Sequence, residues 1–112
     1  MRLRIAARPY APPMRPFVCI VEAELHFGDV HDLKAKRKLV KSLKDQLRAR
    51  FGAAVAETEG HDKWQRSVIV CALVGGPDVG DRADGLERFI DSRFPDGVTF
   101  SRDLLSLEDI RG

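Results

Sequence analysis

Residues 17–27 read Phe-Val-Cys-Ile-Val-Glu-Ala-Glu-Leu-His-Phe. Phe17, Cys19, Val21, Ala23, Leu25 and Phe27 are all apolar and alternate with Val18, Ile20, Glu22, Glu24 and His26. A period of two sends successive side chains to opposite faces of a strand. This strand therefore has one fully apolar face for a core and one mixed face that ends in two carboxylates and an imidazole. Gly28-Asp29 stops it.

Downstream, the period changes. Asp32 is placed to cap a helix of about twenty residues, with its side chain available to the free amides of the first turn. Leu39, Val40, Leu43, Leu47 and Phe51 recur at three- and four-residue spacing and form its expected buried stripe, and Gly52 is a suitable stop. Residues 53–59 and 66–74 read as two more strands, joined by a polar turn short enough to require antiparallel pairing. The second of them is apolar on both faces, as expected of a strand in the middle of a sheet. Gly75-Gly76-Pro77 breaks it. A second helix is expected from about Asp78 to Arg93 with Val79, Ala83, Leu86 and Ile90 inward. Pro95-Asp96-Gly97 then turns into a last strand near Val98–Ser101, with Leu104–Leu107 as a possible extension. The order βαββαβ, with right-handed crossovers, specifies an α+β ferredoxin-like sandwich: a four-stranded antiparallel sheet with two helices on one face. Strands one and three are then central neighbours, which suits their apolar character.

Upstream, residues 1–16 contain four Arg, four Pro and no acid. The prolines forbid a continuous helix. The segment lacks the apolar run of a signal peptide and the serines of a transit peptide. It reads either as a basic arm or as untranslated sequence before a start at Met14, and the second is favoured because the core loses nothing without residues 1–13. Residues 17–112 form the single expected domain.

The chain's 112 residues suit one domain that buries a core without staples. Cys19 and Cys71 lie inside apolar runs and read as buried, reduced thiols facing the helices, in a cytoplasmic protein. No apolar stretch approaches the roughly 20 residues needed to span a bilayer. The formal charge of +2 is unevenly spread: residues 1–51 carry twelve Lys/Arg against five Asp/Glu, and residues 52–112 carry seven against twelve. A basic end of this kind attracts anionic partners.

Most of that positive charge is on the first helix, where Lys34, Lys36, Arg37, Lys38, Lys41, Lys44, Arg48 and Arg50 face only Asp45. At about 100° per residue, Lys34, Lys41 and Arg48 lie opposite Leu43, flanked by Arg37 and Lys44. Lys36 instead points along the buried stripe, where it must snorkel or hold a carboxylate. A row of cations suits a phosphate backbone. The plainer alternative is a solvated surface helix, but its exposed face has almost no acid for pairing at i,i+4.

Glu22, Glu24 and His26 share a strand face, yet successive residues on one face stand roughly 7 Å apart, too far for all three to reach one metal ion without His61 or Glu57 from another strand completing the site. Ion pairing of these groups with Arg66, or their solvation, is the stronger expectation, and an enzyme built on them is the weakest of the functional readings. The turn Gly60–Arg66 holds the only Trp; Trp64 and Arg66 suit stacking on a base, or Trp64 simply caps the sheet edge. There is no phosphate loop, C-x-x-C, H-E-x-x-H or nucleophile elbow, so no catalytic residue, metal or cofactor is expected. Nor does the open sheet face show the aromatics of an RNA-recognition sheet.

Three stretches, Glu22–His26, His31-Asp-Leu-Lys-Ala-Lys-Arg37 and His61-Asp-Lys-Trp-Gln-Arg66, resemble the YlxP-like proteins, a bacterial family of unknown function, in order and spacing across about residues 17–101. The resemblance implies a ferredoxin-like fold. It also implies genes often adjacent to those for translation initiation and ribosome maturation, and hence a link to RNA or the ribosome, but no established activity. The long N-terminal arm departs from the family pattern, which supports Met14 as the start.

The function expected from these features is non-catalytic RNA or ribosome binding, with Lys34, Arg37, Lys38, Lys41, Lys44 and Arg48 on phosphates and Lys36, Trp64 and Arg66 orienting or stacking. The alternative is an interaction module for an acidic protein. With Ile69, Cys71 and Leu73 turned to the helices, Val18, Ile20, Val68, Val70, Ala72 and Val74 form an apolar patch on the open face, which predicts a homodimer.

Overall fold

The computed structural model describes residues 14–28, 30–61, 63, 65–95 and 97–112. Residues 1–13, on which the expectation about the start of translation falls, and Trp64 lie outside them. Strands β1 (Phe17–His26), β2 (Ala54–Glu59), β3 (Arg66–Gly75) and β4 (Val98–Ser106) form one antiparallel sheet in the order β2-β3-β1-β4. Helices α1 (Leu33–Phe51) and α2 (Val79–Arg93) follow β1 and β3, giving the expected ferredoxin-like order, and a short α3 (Leu107–Arg111) ends the chain.

The alternation in β1 does what its sequence requires: Cys19, Val21, Ala23 and Leu25 are fully buried on the helix side. The register sets Cys19 opposite Leu73, Val21 opposite Cys71 and Ala23 opposite Ile69. Cross-strand partners share a face, so β1 decides the facing of β3, whose own sequence is apolar on both sides. Val79, Ala83, Leu86 and Ile90 close the core from α2 as expected. Both cysteines are free and buried.

The stripe of α1 is narrower than its sequence suggests. Lys36, Val40, Leu43 and Leu47 are buried, whereas Leu39 is 47% exposed. Leu39 and Val40 are consecutive and so about 100° apart on the helix, and both cannot face the sheet centre. β4 runs five residues beyond Ser101 as an edge strand, and Ser106 opens α3 with a capping box in which it and Asp109 bond each other's backbone amides at 3.0 Å. Among the described residues no helix is long and apolar enough to cross a membrane.

Candidate functional site

Helix α1 is fixed at both ends by local chemistry. The Asp32 carboxylate accepts from the Ala35 amide at 2.7 Å. Gly52, at a φ of 64°, turns its amide back to the Arg48 carbonyl at 3.1 Å. Between these caps, Lys34, Arg37, Lys38 and Lys41 are exposed and Lys44 is half-buried. Asp45, the one acid in the helix, accepts from Lys41 at 2.9 Å and lies 3.6 Å from Arg48. The Lys41 hydrogen bond holds its carboxyl below the usual range. Arg48 also donates to the Val55 carbonyl at 2.8 Å, so it ties the end of α1 to β2 as well as adding charge.

Lys36 does not belong to that outer row. Its side chain is completely buried, and its ammonium donates to Glu57 Oε2 at 2.7 Å and to the Gly60 carbonyl at 2.6 Å. The Ser67 hydroxyl donates to the same carboxylate oxygen. Burial on its own raises the Glu57 carboxyl, but the bonds from Lys36 and Ser67 and the Lys36 charge outweigh it and leave the group below its ordinary value. The expectation that Lys36 contacts a nucleic acid is therefore corrected: it holds a carboxylate in the core. Gly60 is required here, because its φ is 87° and a Cβ on it would run into the Arg66 carbonyl and lie 2.9 Å from Ser67 Cα.

These contacts gather three separate stretches of sequence at one end of the sheet. Lys36 joins the start of α1 to the turn after β2, and the Phe27 amide donates to the Gln65 carbonyl at 2.9 Å, joining the end of β1 to the same turn. On the open face, Arg66 bonds Glu24 at 2.8 Å and reaches Glu59 at 3.7 Å. The hydrogen bond between them lowers the Glu24 carboxyl and raises Arg66. His26 stands 3.4 Å from Glu24, and His61 stands 3.7 Å from Glu57. Among the described residues no group of three or more His, Cys, Asp or Glu could hold a metal ion.

A model of a protein family of unknown function, DUF503, matches residues 18–100. The chain belongs to this family. No curated protein matches it. The DUF503 match spans β1, α1, β2, β3 and α2, and so includes the helix cations, the Lys36–Glu57–Ser67 network and the Glu24–Arg66–Glu59 bridge.

The open face of this DUF503 domain is ordered in rows that cross the sheet. Val74, Val18 and Leu105 make one row, and Ala54, Ala72, Ile20 and Asp103 the next. Ala56, Val70, Glu22 and Ser101 follow, and then Glu59, Val68, Glu24 and Thr99. Val74 is 69% exposed, and Val18, Ile20, Val70 and Ala72 are half-buried. Val68 departs from the expected patch, being only 2% exposed. The register sets both Glu24 and Glu59 against Val68, and Arg66, two residues away on the same strand face, ties them together. Val68 thus lies between the two carboxylates that Arg66 joins, and it is off the surface.

A groove of about 550 Å³, not among the expectations from sequence, lies between α1 and the end of α2. Leu39, Ser42, Leu43 and Gln46 form its α1 wall, with Phe27 and Phe94 among its apolar lining. The signal that could have found it is the Leu39-Val40 pair, since one of two adjacent apolar residues must lie off the stripe.

Proposed function

We propose that this protein is a non-catalytic cytoplasmic domain of the YlxP-like type that associates with RNA or the ribosome by binding phosphate backbone along α1. The observation that carries this reading is the outer face of α1, where Lys34, Lys38 and Lys41 are exposed beside Arg37 and Lys44 with Asp45 as the helix's one acid. Cations spaced along a rigid helix neutralise successive phosphates and release condensed counterions. The opposite surface favours the same choice. Glu22, Glu24, Glu59 and Asp103 share the open sheet face, and their charge repels phosphate, so the helix and not the sheet is the side offered to RNA.

The alternative partner for the same face is an acidic protein. Charge reversal at Lys41→Glu with Lys44→Glu, assayed against short RNA and isolated ribosomal subunits at low salt, separates the two. Binding by the native chain that the double variant loses supports the RNA reading; no binding to RNA or subunits by the native chain refutes it.

A second association is favoured by a separate observation. Two adjacent rows of the open face, Val74-Val18-Leu105 and Ala54-Ala72-Ile20, present aliphatic side chains on the side of the sheet away from α1 and α2. A second copy of the chain meeting this patch about a twofold axis buries it on both sides at once.

A further inference from the structure

We infer a phosphate site where α1 meets α2, made by Arg50 and Arg93 over the ring of Phe89. Its ligand class is the phosphate monoester. The site goes beyond the reading of α1 as an RNA-binding helix, because it lies on a different side of that helix.

Arg50 is the second cation on the inner side of α1. It follows Leu43 by seven residues, which returns it to within about 20° of the same direction, whereas Lys34, Lys41 and Arg48 point the opposite way. The first such cation, Lys36, is compensated by Glu57. Arg50 is not: among the described residues its side chain makes no ion pair and no hydrogen bond. Its guanidinium carbon lies instead 4.8 Å from the centre of the Phe89 ring on α2.

Arg93, one turn beyond Phe89, stands 4.4 Å from the same ring centre and likewise has no ion pair or side-chain hydrogen bond among the described residues. The two guanidinium carbons are no farther apart than those two distances together, about 9 Å. Phe51 braces the ring, with ring centres 5.7 Å apart at 66°. A ring face attracts the charge of a guanidinium but accepts none of the in-plane hydrogen bonds of its five N–H donors. Both arginines are exposed, so those donors are open to a ligand.

The acids nearby are engaged or turned away. Asp84 and Glu87 bind Arg102, and Asp45 is held by Lys41 and Arg48. Asp91 is two residues from both Phe89 and Arg93, which puts it about 200° around the helix from each. Two like charges meet at one ring with no carboxylate between them, an arrangement that an anion stabilises.

The chemistry selects the anion. Two guanidiniums match a phosphate monoester, which carries about −1.5 to −2 at pH 7, better than a carboxylate or phosphodiester of single charge. The planar fork of Arg also suits a group with several oxygens to share. Free phosphate and the terminal phosphate of a nucleotide both present this chemistry.

The test follows the Arg50 and Arg93 Nε–H and Phe89 ring resonances of the full chain at low salt. Inorganic phosphate, adenosine monophosphate, adenosine and dimethyl phosphate are titrated separately. Phosphate and the nucleotide are expected to shift all three residues saturably, adenosine to shift none, and the singly charged diester to bind more weakly than either. Tighter binding of the nucleotide than of phosphate assigns the site to nucleotides, and the reverse assigns it to free phosphate. Arg50→Gln and Arg93→Gln are each expected to weaken binding roughly tenfold, with urea midpoints near that of the native chain. Shifts confined to the lysines of α1, no saturable shift at Phe89, equal binding of the diester, or binding that both variants retain overturns the inference. Failure of α1 to bind RNA leaves these shifts in place and refutes that reading alone.

Discussion

The ammonium of Lys36, with no solvent exposure of its own, lies 2.7 Å from the carboxylate of Glu57, twenty-one residues further along the chain. That pair, with Ser67 and the Gly60 carbonyl, locks α1 against the β2–β3 turn. The helix carrying the cations therefore has a fixed position on the sheet before any ligand arrives, which lowers the ordering cost of binding.

Removing one partner of a buried pair leaves the other uncompensated. Lys36→Met should cost about 3–5 kcal/mol in urea unfolding. Lys36→Met with Glu57→Leu should recover part of that loss, because no buried charge remains. A single variant within about 0.5 kcal/mol of the native chain, the range of ordinary surface substitutions, contradicts the burial of this pair.

The same carboxylate sets a pH dependence. The Glu57 value is depressed in the folded state relative to its ordinary 4.5. Its stabilising contribution is fully present above the unfolded value and is lost as pH falls through the lower folded value. Acid unfolding followed by circular dichroism should show stability declining below about pH 4.5, and Glu57→Gln should flatten that part of the curve. An unchanged acid limb in Glu57→Gln means that other carboxylates control it.

The thiols are shielded by burial. Cys71 is pushed up to about 12 and Cys19 is also raised, in both cases chiefly by desolvation. Thiolate is the reactive form, so neither cysteine should react with a disulfide reagent at pH 8 in the native state, and both should react in denaturant. Rapid native modification of either one contradicts the packing.

On the open face, Val74 and Val70 are the informative positions for association. If a second copy covers the patch, Val70→Lys or Val74→Lys should convert a dimer to a monomer in light scattering at micromolar to millimolar concentration. A native chain that is monomeric throughout, with Val70→Lys leaving mass and stability unchanged, rules the dimer out.

How much of this was legible beforehand depended on how many faces each element buries. β1 buries one face cleanly, so alternate letters give its register and its core residues. β3 is apolar on both sides, and only its pairing with Cys19, Val21 and Ala23 decides which side is inward. The distal half of β4 is mostly exposed, with Arg102 turned to Asp84 and Glu87 at 2.8 and 2.7 Å, and so carries no hydrophobic period to read. The candidate site divided along similar lines. The cations of α1 could be counted from sequence, and the wheel flagged Lys36 as misplaced, but its partner Glu57 lay in another strand. The burial of Val68 depends on the strands paired on either side of it, and the groove depends on two helices meeting. Neither is a local property of the chain.

The most direct test of the central claim is the salt dependence of binding to single-stranded RNA. Four phosphate contacts from Lys34, Lys38, Lys41 and Lys44 predict a log–log slope of about −2.8, and changing any one of them to Gln should make it shallower by about 0.7. A slope near zero, or a slope that these substitutions do not change, contradicts phosphate binding along α1.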